Sequence, residues 1–287
     1  MTKNAIDNID LVMQSWREIG TKRPLLMGIV NVTPDSFSDG GLYFETKKAI
    51  ARARELEMEG ADIVDIGGES SRPFSQPIAL EEEFRRVIPV IKAIAPELKI
   101  PISIDTYKAK IAQAAIEAGA KIINDISALR FDKDMAKVAA DYKTPIVLMH
   151  MKGTPRDMQI NPYYDDVLKE VYDFLEKRID YALAQGIEKG QIAIDPGIGF
   201  GKRLEDNLRL IKHLPLFKDL GQPVLLGPSR KAFIGKVLNI DVPARRDIGT
   251  LGVVALATLL GADVIRVHAV KEARQIIKIV KAIMNSD

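Results

Sequence analysis

Short runs of apolar, mostly β-branched residues recur along the chain, and longer segments with a helical period separate them. The runs fall at residues 25–32, 62–67, 102–105, 122–126, 146–150, 192–195, 224–227 and 264–268. They are nearly continuous in apolar character, which is the mark of parallel strands covered on both faces. Between them lie helical patterns such as those at 47–60, 80–95 and 109–120, several ending in Gly just before the next strand. A glycine at that place is helix C-cap chemistry. Eight strands alternating with helices predict an α/β fold of the (β/α)8 TIM-barrel type, spanning residues 25–287 as one domain. A doubly wound open sheet uses the same alternation, but its Gly-x-Gly-x-x-Gly turn after the first strand is missing. That strand runs instead into Asn31-Val32-Thr33-Pro34-Asp35, and the Gly197-Ile198-Gly199-Phe200-Gly201 stretch comes late with another spacing. Residues 1–24 precede the first strand as a short extension, in which Ile6, Ile9, Val12, Met13 and Trp16 form a helix-like apolar stripe suited to cover the barrel bottom.

The polar residues sit where the strands end. In chain order they are Asn31, Asp65 with Glu69, Asp105, Asn124 with Asp125, His150, Asp195, Ser229 with Lys231, and Arg266 with His268. The C-terminal face of such a barrel carries the active site, so polar groups repeated at eight strand ends predict one there. Lys231, Arg266 and His268 follow strands seven and eight, where these barrels commonly bind phosphate. Arg and Lys match phosphate oxygens as donors, and Ser229-Arg230-Lys231 opens a helix whose free N–H groups favour an anion. Asp105, Asn124 and Asp195 lie on the opposite arc and suit a heterocycle with several N–H donors. The predicted site is bipolar, with acceptors for a nitrogenous ring on one side and cations for phosphate on the other.

Each residue also has a plainer reading. Asp105 and Asp125 are candidates for helix caps, Asp195-Pro196 for loop punctuation, and Arg72 for a solvated loop charge. Asp62 and Asp65 are suited to closing buried hydrogen-bond networks, Lys231 to pairing with a carboxylate, and His213 to a structural place within a helix.

Composition narrows the classes. The chain has 287 residues, 47% of them hydrophobic, enough for a sizeable core. Its 41 basic and 39 acidic residues nearly balance, which leaves no electrostatic footprint for nucleic acid. The lack of cysteine removes thiolate ligands and thiol nucleophiles and fits a reducing compartment. The N-terminus lacks the apolar run of a signal peptide, and the most apolar later stretch, 249–261, is too short to span a bilayer. A cytoplasmic enzyme with no membrane partner is expected.

The wording of the strand ends is specific. The segment from Met27 through Asn31, Asp35, Phe37 and Gly41 closely resembles the first signature of the dihydropteroate synthases, and the segment from Ala61 through Glu69, Ser71, Arg72 and Pro73 the second. Further matches follow in the family's order: Ser103–Thr106, Ile123–Asp125, Met149–Pro155, Asp195–Lys202, Ser229–Lys231 and Arg266–His268. The resemblance runs from about Leu25 to about Lys281. It implies a condensation of (7,8-dihydropterin-6-yl)methyl diphosphate with 4-aminobenzoate, giving 7,8-dihydropteroate and diphosphate in an S_N1-like step. It further implies that Asp105, Asn124, Met149, Asp195 and Lys231 hold the pterin. Asn31, Ser71, Arg72, Arg266 and His268 match positions on the diphosphate, with Asn31 touching Mg²⁺. Phe200, Arg230 and Ala232 match the aminobenzoate side, and loops carrying Asp35, Phe37 and Arg72 close over the reacting centre. Family members are commonly dimers, and the apolar stretch 251–260 is a candidate interface. The chain departs from the family's wording at Ser71, where Thr is usual, and at Phe74, where Gly is common. It departs again at Ala232 and Ala269, where Ser and Asp are usual.

Rival readings remain open at this point. A pterin-binding methyltransferase would share the ring-binding groups but not need the diphosphate set. A Schiff-base aldolase would use Lys231 as nucleophile and leave the ring-binding acids idle. A pterin-binding protein without turnover would not need Asp35 and Arg72.

Overall fold

The period of two along each strand decides what this barrel holds inside. The structure is a computed structural model that describes residues 23–32 and 41–286. Residues 1–22 of the expected extension, and Asp35 and Phe37 of the expected closing loop, lie outside the described residues. Eight strands form: β1 (Leu25–Asn31), β2 (Ile63–Gly67), β3 (Ile102–Asp105), β4 (Ile122–Asp125), β5 (Ile146–Met149), β6 (Ile192–Asp195), β7 (Leu225–Leu226) and β8 (Val264–Val267). All pair in parallel in the order β6-β5-β4-β3-β2-β1-β8-β7, and a parallel bridge between Ile194 and Val224 joins the two outer strands. The result is the expected TIM barrel, with strand limits within about two residues of those read from the pattern.

Nine α-helices surround it among the described residues: α1 (Gly41–Met58), α2 (Leu80–Ile94), α3 (Ala109–Ala118), α4 (Met135–Asp141), α5 (Val167–Ala184), α6 (Leu204–Lys212), α7 (Ala232–Leu238), α8 (Asp247–Leu259) and α9 (Val270–Met284). The helix ends follow the glycine signal. Gly119 closes α3 at φ 121°, and its N–H donates to the carbonyl of Ile116. That backbone conformation suits a residue without Cβ.

Successive strand residues point to opposite faces. Leu26, Val64, Ile66, Ile104, Ile123, Leu148, Ile194 and Ile265 belong to the large core between strands and helices. Met27, Ile63, Ile122, Val147, Ala193, Leu225 and Val264 pack together as a separate inner cluster. Two residues further along each strand, still on the inner face, the apolar layer gives way to the polar set. Asp65 follows Ile63, Asn124 follows Ile122, Asp195 follows Ala193 and Arg266 follows Val264. Met149 stands in the same row after Val147. The inner apolar layer closes the barrel floor, and the next layer faces the mouth.

The same alternation sends two expected mouth residues elsewhere. Asp125 and His150 fall on the helix-facing side. Asp125 accepts from the Ser127 and Leu129 N–H groups at 2.8 and 2.7 Å and from the Ser127 hydroxyl at 2.7 Å, so it braces the turn after β4. His150 packs edge-on against Phe174 of α5, with ring centroids 4.7 Å apart. The polar residues at the strand ends are therefore not all in register at the mouth.

At the opposite end, Asp62 closes a network, as its plainer reading expects. It accepts from both nitrogens of the Arg23 fork at 2.8 Å, from the Leu26 N–H at 2.8 Å and from Arg274 of α9 at 2.8 Å. Burial alone would push its carboxyl up, but Arg23 and the other partners outweigh that and hold it below its ordinary value. The entry to β1, the foot of β2 and the last helix are pinned together there.

Candidate active site

Arg266 is the centre of the mouth. Its Nε donates to Asp65 Oδ2 at 2.6 Å and its Nη2 to Asp105 Oδ2 at 2.7 Å. The amide of Asn124 donates to the same Asp65 oxygen at 3.2 Å. One guanidinium fork thus ties β8 to β2 and β3, a use of geometry that Lys lacks. Burial works against the charge of Arg266, but Asp65 and Asp105 more than restore it. Asp105 is pushed up to about 7, first by burial, with Arg266 opposing and Asp65 and Glu83 adding to the rise. It caps no helix; the first N–H of α3 is met by Asp132 instead.

The second acid is placed by backbone. Asp195 accepts the N–H of Gly197 at 2.6 Å, which orients its carboxylate at the end of β6. Burial pushes it up to about 6, opposed by that N–H and by the charges of Lys231 and Lys202. Lys231 lies between the two acids in its electrostatics, raised by both Asp195 and Asp105. Burial, followed by the Arg266 charge, still brings it down to about 7. Its Nζ stands 3.8 Å from the centre of the Phe200 ring. Such a contact is a cation–π pair, worth about 2 kcal/mol when desolvated. Phe200 in turn packs with Ile126, Met149, Met151 and Met158, an apolar wall beside the acids.

Cations and acids are therefore interleaved at the mouth rather than set on separate arcs. Lys231 joins the acid side, and Arg266 spans both. On the side expected to meet the diphosphate, His268 is paired with Ser229. The Ser229 hydroxyl lies 2.8 Å from His268 Nδ1, and the His268 N–H donates back to Ser229 Oγ at 3.2 Å. A hydroxyl proton given to Nδ1 leaves Nε2 carrying the ring proton. Burial brings His268 down to about 3, helped by Arg230, Arg266 and Arg72 and opposed by Asp247. The ring is neutral and offers one N–H to an anion among three arginines. Asn31, at the end of β1, and Arg72 are exposed, and Ser71 is half-buried. Arg230 is not free: its fork holds Asp247 at 2.7 and 2.8 Å. Ala232, the first residue of α7, is exposed.

Several supporting groups were not singled out by sequence reasoning. Lys202 is buried with no carboxylate within ion-pair distance among the described residues, and its Nζ meets His150 Nδ1 at 2.9 Å and the carbonyls of Gly197 and Phe200 at 2.8 and 3.1 Å. Burial, with help from Lys231 and Lys152, brings it down to about 7. It holds the Gly197–Gly201 turn beneath Phe200. Tyr107 and Lys108 both donate to Glu69, the strand-end acid named above, and Lys108 donates also to Glu83, beside the Ser71–Arg72 segment. A signal for Glu83 did exist, since Glu83, Val87, Val90, Ile91 and Ile94 share the buried face of α2 at helical spacing. Among the described residues, no group of three or more His, Cys, Asp or Glu is placed to hold a metal, and no helix is long and apolar enough to cross a membrane.

Comparison with known proteins gives the family and the fold. Residues 27–268 match the family described as pterin binding enzyme. The chain is 46% identical to the dihydropteroate synthase of Synechocystis over 91% of each chain. It is 44% identical to that of Bacillus subtilis over 99% of this chain and 98% of the relative. Among solved structures, Xanthomonas albilineans dihydropteroate synthase with 4-aminobenzoic acid superposes with a TM-score of 0.87 at 45% identity, covering 92% of this chain and 94% of that one. The same enzyme in complex with 7,8-dihydropteroate gives 0.84 at 43% identity, covering 92% and 95%.

Proposed function

The chain belongs to the dihydropteroate synthase family of pterin-binding enzymes, and from that premise we propose how its barrel mouth carries out the condensation. It is a transferase of folate biosynthesis. The substrates are the pterin methyl diphosphate and 4-aminobenzoate, and the products 7,8-dihydropteroate and diphosphate. One observation carries the site reading: Arg266 holds Asp65 and Asp105 within 2.7 Å, while Lys231 lies over Phe200 and feels the charges of both Asp105 and Asp195. Asp105, Asn124 and Asp195 accept the pterin's N–H groups. Lys231 donates to a ring acceptor, and Met149 with Phe200 covers the ring face.

The C–O bond at the pterin methylene breaks as charge grows on the departing diphosphate. Arg266, whose Nη1 takes no part in its two carboxylate bonds, and the Nε2–H of His268 meet that charge together with Arg72 and Ser71. Asn31 offers a hard amide oxygen, which fits a Mg²⁺ ion held mostly by substrate phosphates rather than by a protein cage. When bound, Mg²⁺ would supply neutralisation of the leaving group's charge. The arylamine nitrogen then forms the new C–N bond from the side of Phe200 and α7 and releases a proton to solvent or diphosphate. Arg230 acts on this side through its hold on Asp247, and Ala232 lends only its backbone N–H. Asp35 and Phe37 belong to the loop that would close over the centre and exclude water.

The test is diphosphate release from the pterin diphosphate, with and without Mg²⁺ and with and without 4-aminobenzoate. Wild-type release should require both and yield dihydropteroate in equal amount. Lys231→Met should lower kcat/KM by roughly 10²–10³-fold, the loss expected for a charged ligand-orienting donor in a preorganised site. Pterin binding without any release under every amine would overturn the reading in favour of a binding protein or methyltransferase.

A homodimer is proposed on the exposed apolar side chains of the last two helices. Ile248, Leu256 and Leu259 of α8 are 84%, 41% and 56% exposed, and Ile279 and Ile283 of α9 are 62% and 68% exposed. Apolar groups so grouped mark an interface. Sedimentation should give twice the chain mass, and Leu256→Glu with Ile279→Glu should give the monomer. A wild-type monomer at micromolar concentration would sink the proposal. A cytoplasmic location accords with the cysteine-free sequence.

A further inference from the structure

The segment between β2 and α2 carries Ser71 and Arg72, and its base is tied by a network outside the ligand contacts described above. Glu69 stands at the start of the segment. Its Oε1 accepts the Tyr107 hydroxyl at 2.7 Å, and its Oε2 accepts Lys108 Nζ at 2.7 Å and the backbone N–H of Ile78 at 3.1 Å. Ile78 is at the far end of the segment, so one carboxylate joins its two roots. Lys108 Nζ also donates to the Ile78 carbonyl at 2.8 Å and to Glu83 of α2 at 2.6 Å. All three ammonium hydrogens are used, on three separate stretches of chain. Lys108 itself stands three residues after Asp105.

Stability is a poor explanation for this arrangement. Two carboxylates share one ammonium, and Glu83 is 1% exposed with its second oxygen lacking any partner. Buried ion pairs of this kind are often matched or exceeded by apolar packing, so what they supply is geometry. The geometry here has a clear object. A pocket lined by Glu69, Ser70, Ser71, Glu83, Asp105 and Thr106 connects the network to the pterin-side acid. Within the segment, the Ser75 hydroxyl donates to the Ser70 carbonyl at 2.5 Å, and the Phe74 N–H donates to the Pro155 carbonyl at 2.9 Å. Its outer residues Arg72 and Phe74 remain exposed. The base is tied on both sides, and the tip, held by one backbone bond to Pro155, keeps the side chains of Arg72 and Phe74 in solvent.

We propose that Lys108, with Glu69, Tyr107 and Glu83, is a positioning residue for the condensation. It locks the root of the Ser71–Arg72 segment to the strand end that carries Asp105, so that a pterin held on Asp105 meets Arg72 in register. The inference rests on the condensation reading above. A mispositioned segment leaves the pterin pocket intact but admits water to the carbon that loses diphosphate. The mark of this role is therefore uncoupling: diphosphate released without dihydropteroate formed.

The test compares Lys108→Met, Lys108→Arg and Tyr107→Phe with the wild type. The last removes only one hydroxyl and keeps the ring, which packs edge-on to Phe131 at 5.4 Å. Thermal unfolding, pterin diphosphate affinity without amine, and the ratio of diphosphate to dihydropteroate are measured for each. Lys108→Met should keep the pterin affinity, raise KM for 4-aminobenzoate and lower kcat/KM by about 10–100-fold, since displacements near 1 Å cost that much. Its product ratio should rise above parity, with partial recovery in Lys108→Arg and a smaller rise in Tyr107→Phe. A product ratio unchanged from wild type in Lys108→Met or in Tyr107→Phe overturns the proposal. So does a Lys108→Met variant that loses pterin affinity, turnover and thermal stability in step. A wild type that forms no dihydropteroate at all would instead overturn the condensation reading and is recognised before any variant is made.

Discussion

Arg266→Ala is expected to unfold well below the wild type and to lose kcat/KM by about 10²–10³-fold, as when one preorganised donor to a developing anion is removed. The stability loss follows from what Arg266 touches. Asp65 is fully buried, and one of its oxygens already lacks a partner. Asp105 keeps only 13% side-chain exposure. Removing one member of a buried ion pair costs about 3–5 kcal/mol, because the remaining charge is left uncompensated. That is a large part of a typical folding stability of about 5–15 kcal/mol. The pH dependence has a definite sign. Asp105 already stands at about 7 with the guanidinium beside it, and removing that opposing charge pushes it further up. The Asp105 share of the penalty is full only above that raised value and fades as pH falls through it toward about 7, where Asp105 of the folded wild type also takes up its proton. Denaturant titrations of wild type and variant at several pH values should show the gap closing on acidification. Adding Asp65→Asn to Arg266→Ala should recover stability and leave activity low. A variant as stable as wild type at pH 7 would show that the cross-barrel fork does not hold the mouth together.

Gly197→Ala is expected to be nearly as severe, although the change is one methyl group. Gly197 has φ 67°, and an added Cβ would lie 1.8 Å from the carbonyl oxygen of His150 and 3.2 Å from Met149 Cγ. The obstacle is backbone, and that backbone is fixed: the His150 N–H donates to the Asp195 carbonyl at 2.9 Å as the last link between β5 and β6. The left-handed conformation costs roughly 1–2 kcal/mol for a residue with Cβ. Overpacking adds about 1–3 kcal/mol. Relief by moving the turn would carry off the N–H that orients Asp195, at a cost in rate of about 10²-fold for displacements near 1 Å. Gly252→Ala is the control, since a Cβ there meets nothing within 4 Å and the residue lies within α8. It should be neutral or more stable by about 0.5–1 kcal/mol. Thermal unfolding and turnover of the two variants give the answer. Equal behaviour would mean that the turn is softer than its contacts imply.

Much of this was legible in the residues. The apolar runs gave eight strands at nearly the observed limits, because a parallel strand covered on both faces has little room for polar side chains. Strand-end positions for Asp105, Asn124, Asp195 and Arg266 followed from those limits. The Gly197, Gly199 and Gly201 series all take positive φ, which the every-second-residue spacing could have announced. The plainer readings of Asp62 and Asp65 describe what those residues do in the fold, whereas Asp125 braces a turn rather than capping a helix. Arg230 illustrates the limit. Nothing near it in sequence says that its fork is taken by Asp247, seventeen positions on.

The boundary between sequence and fold runs along a physical line. A chain's own periodicity fixes which residues form a strand, and parity along that strand fixes which face each side chain takes. Apolar content and glycine placement, both local, therefore determined the barrel, its floor and the end at which the polar groups emerge. Partnership across the barrel is not local. Arg266 meets Asp65 and Asp105 across 201 and 161 residues of chain, and Lys108 meets Glu69 and Glu83 across 39 and 25. Those meetings depend on strand register and closure, which arise only when all eight strands pair at once. The tertiary structure alone decided that Arg266 spans acids rather than standing opposite them, that His150 turns to the helix layer with Lys202, and that one ammonium ties the root of the Ser71–Arg72 segment.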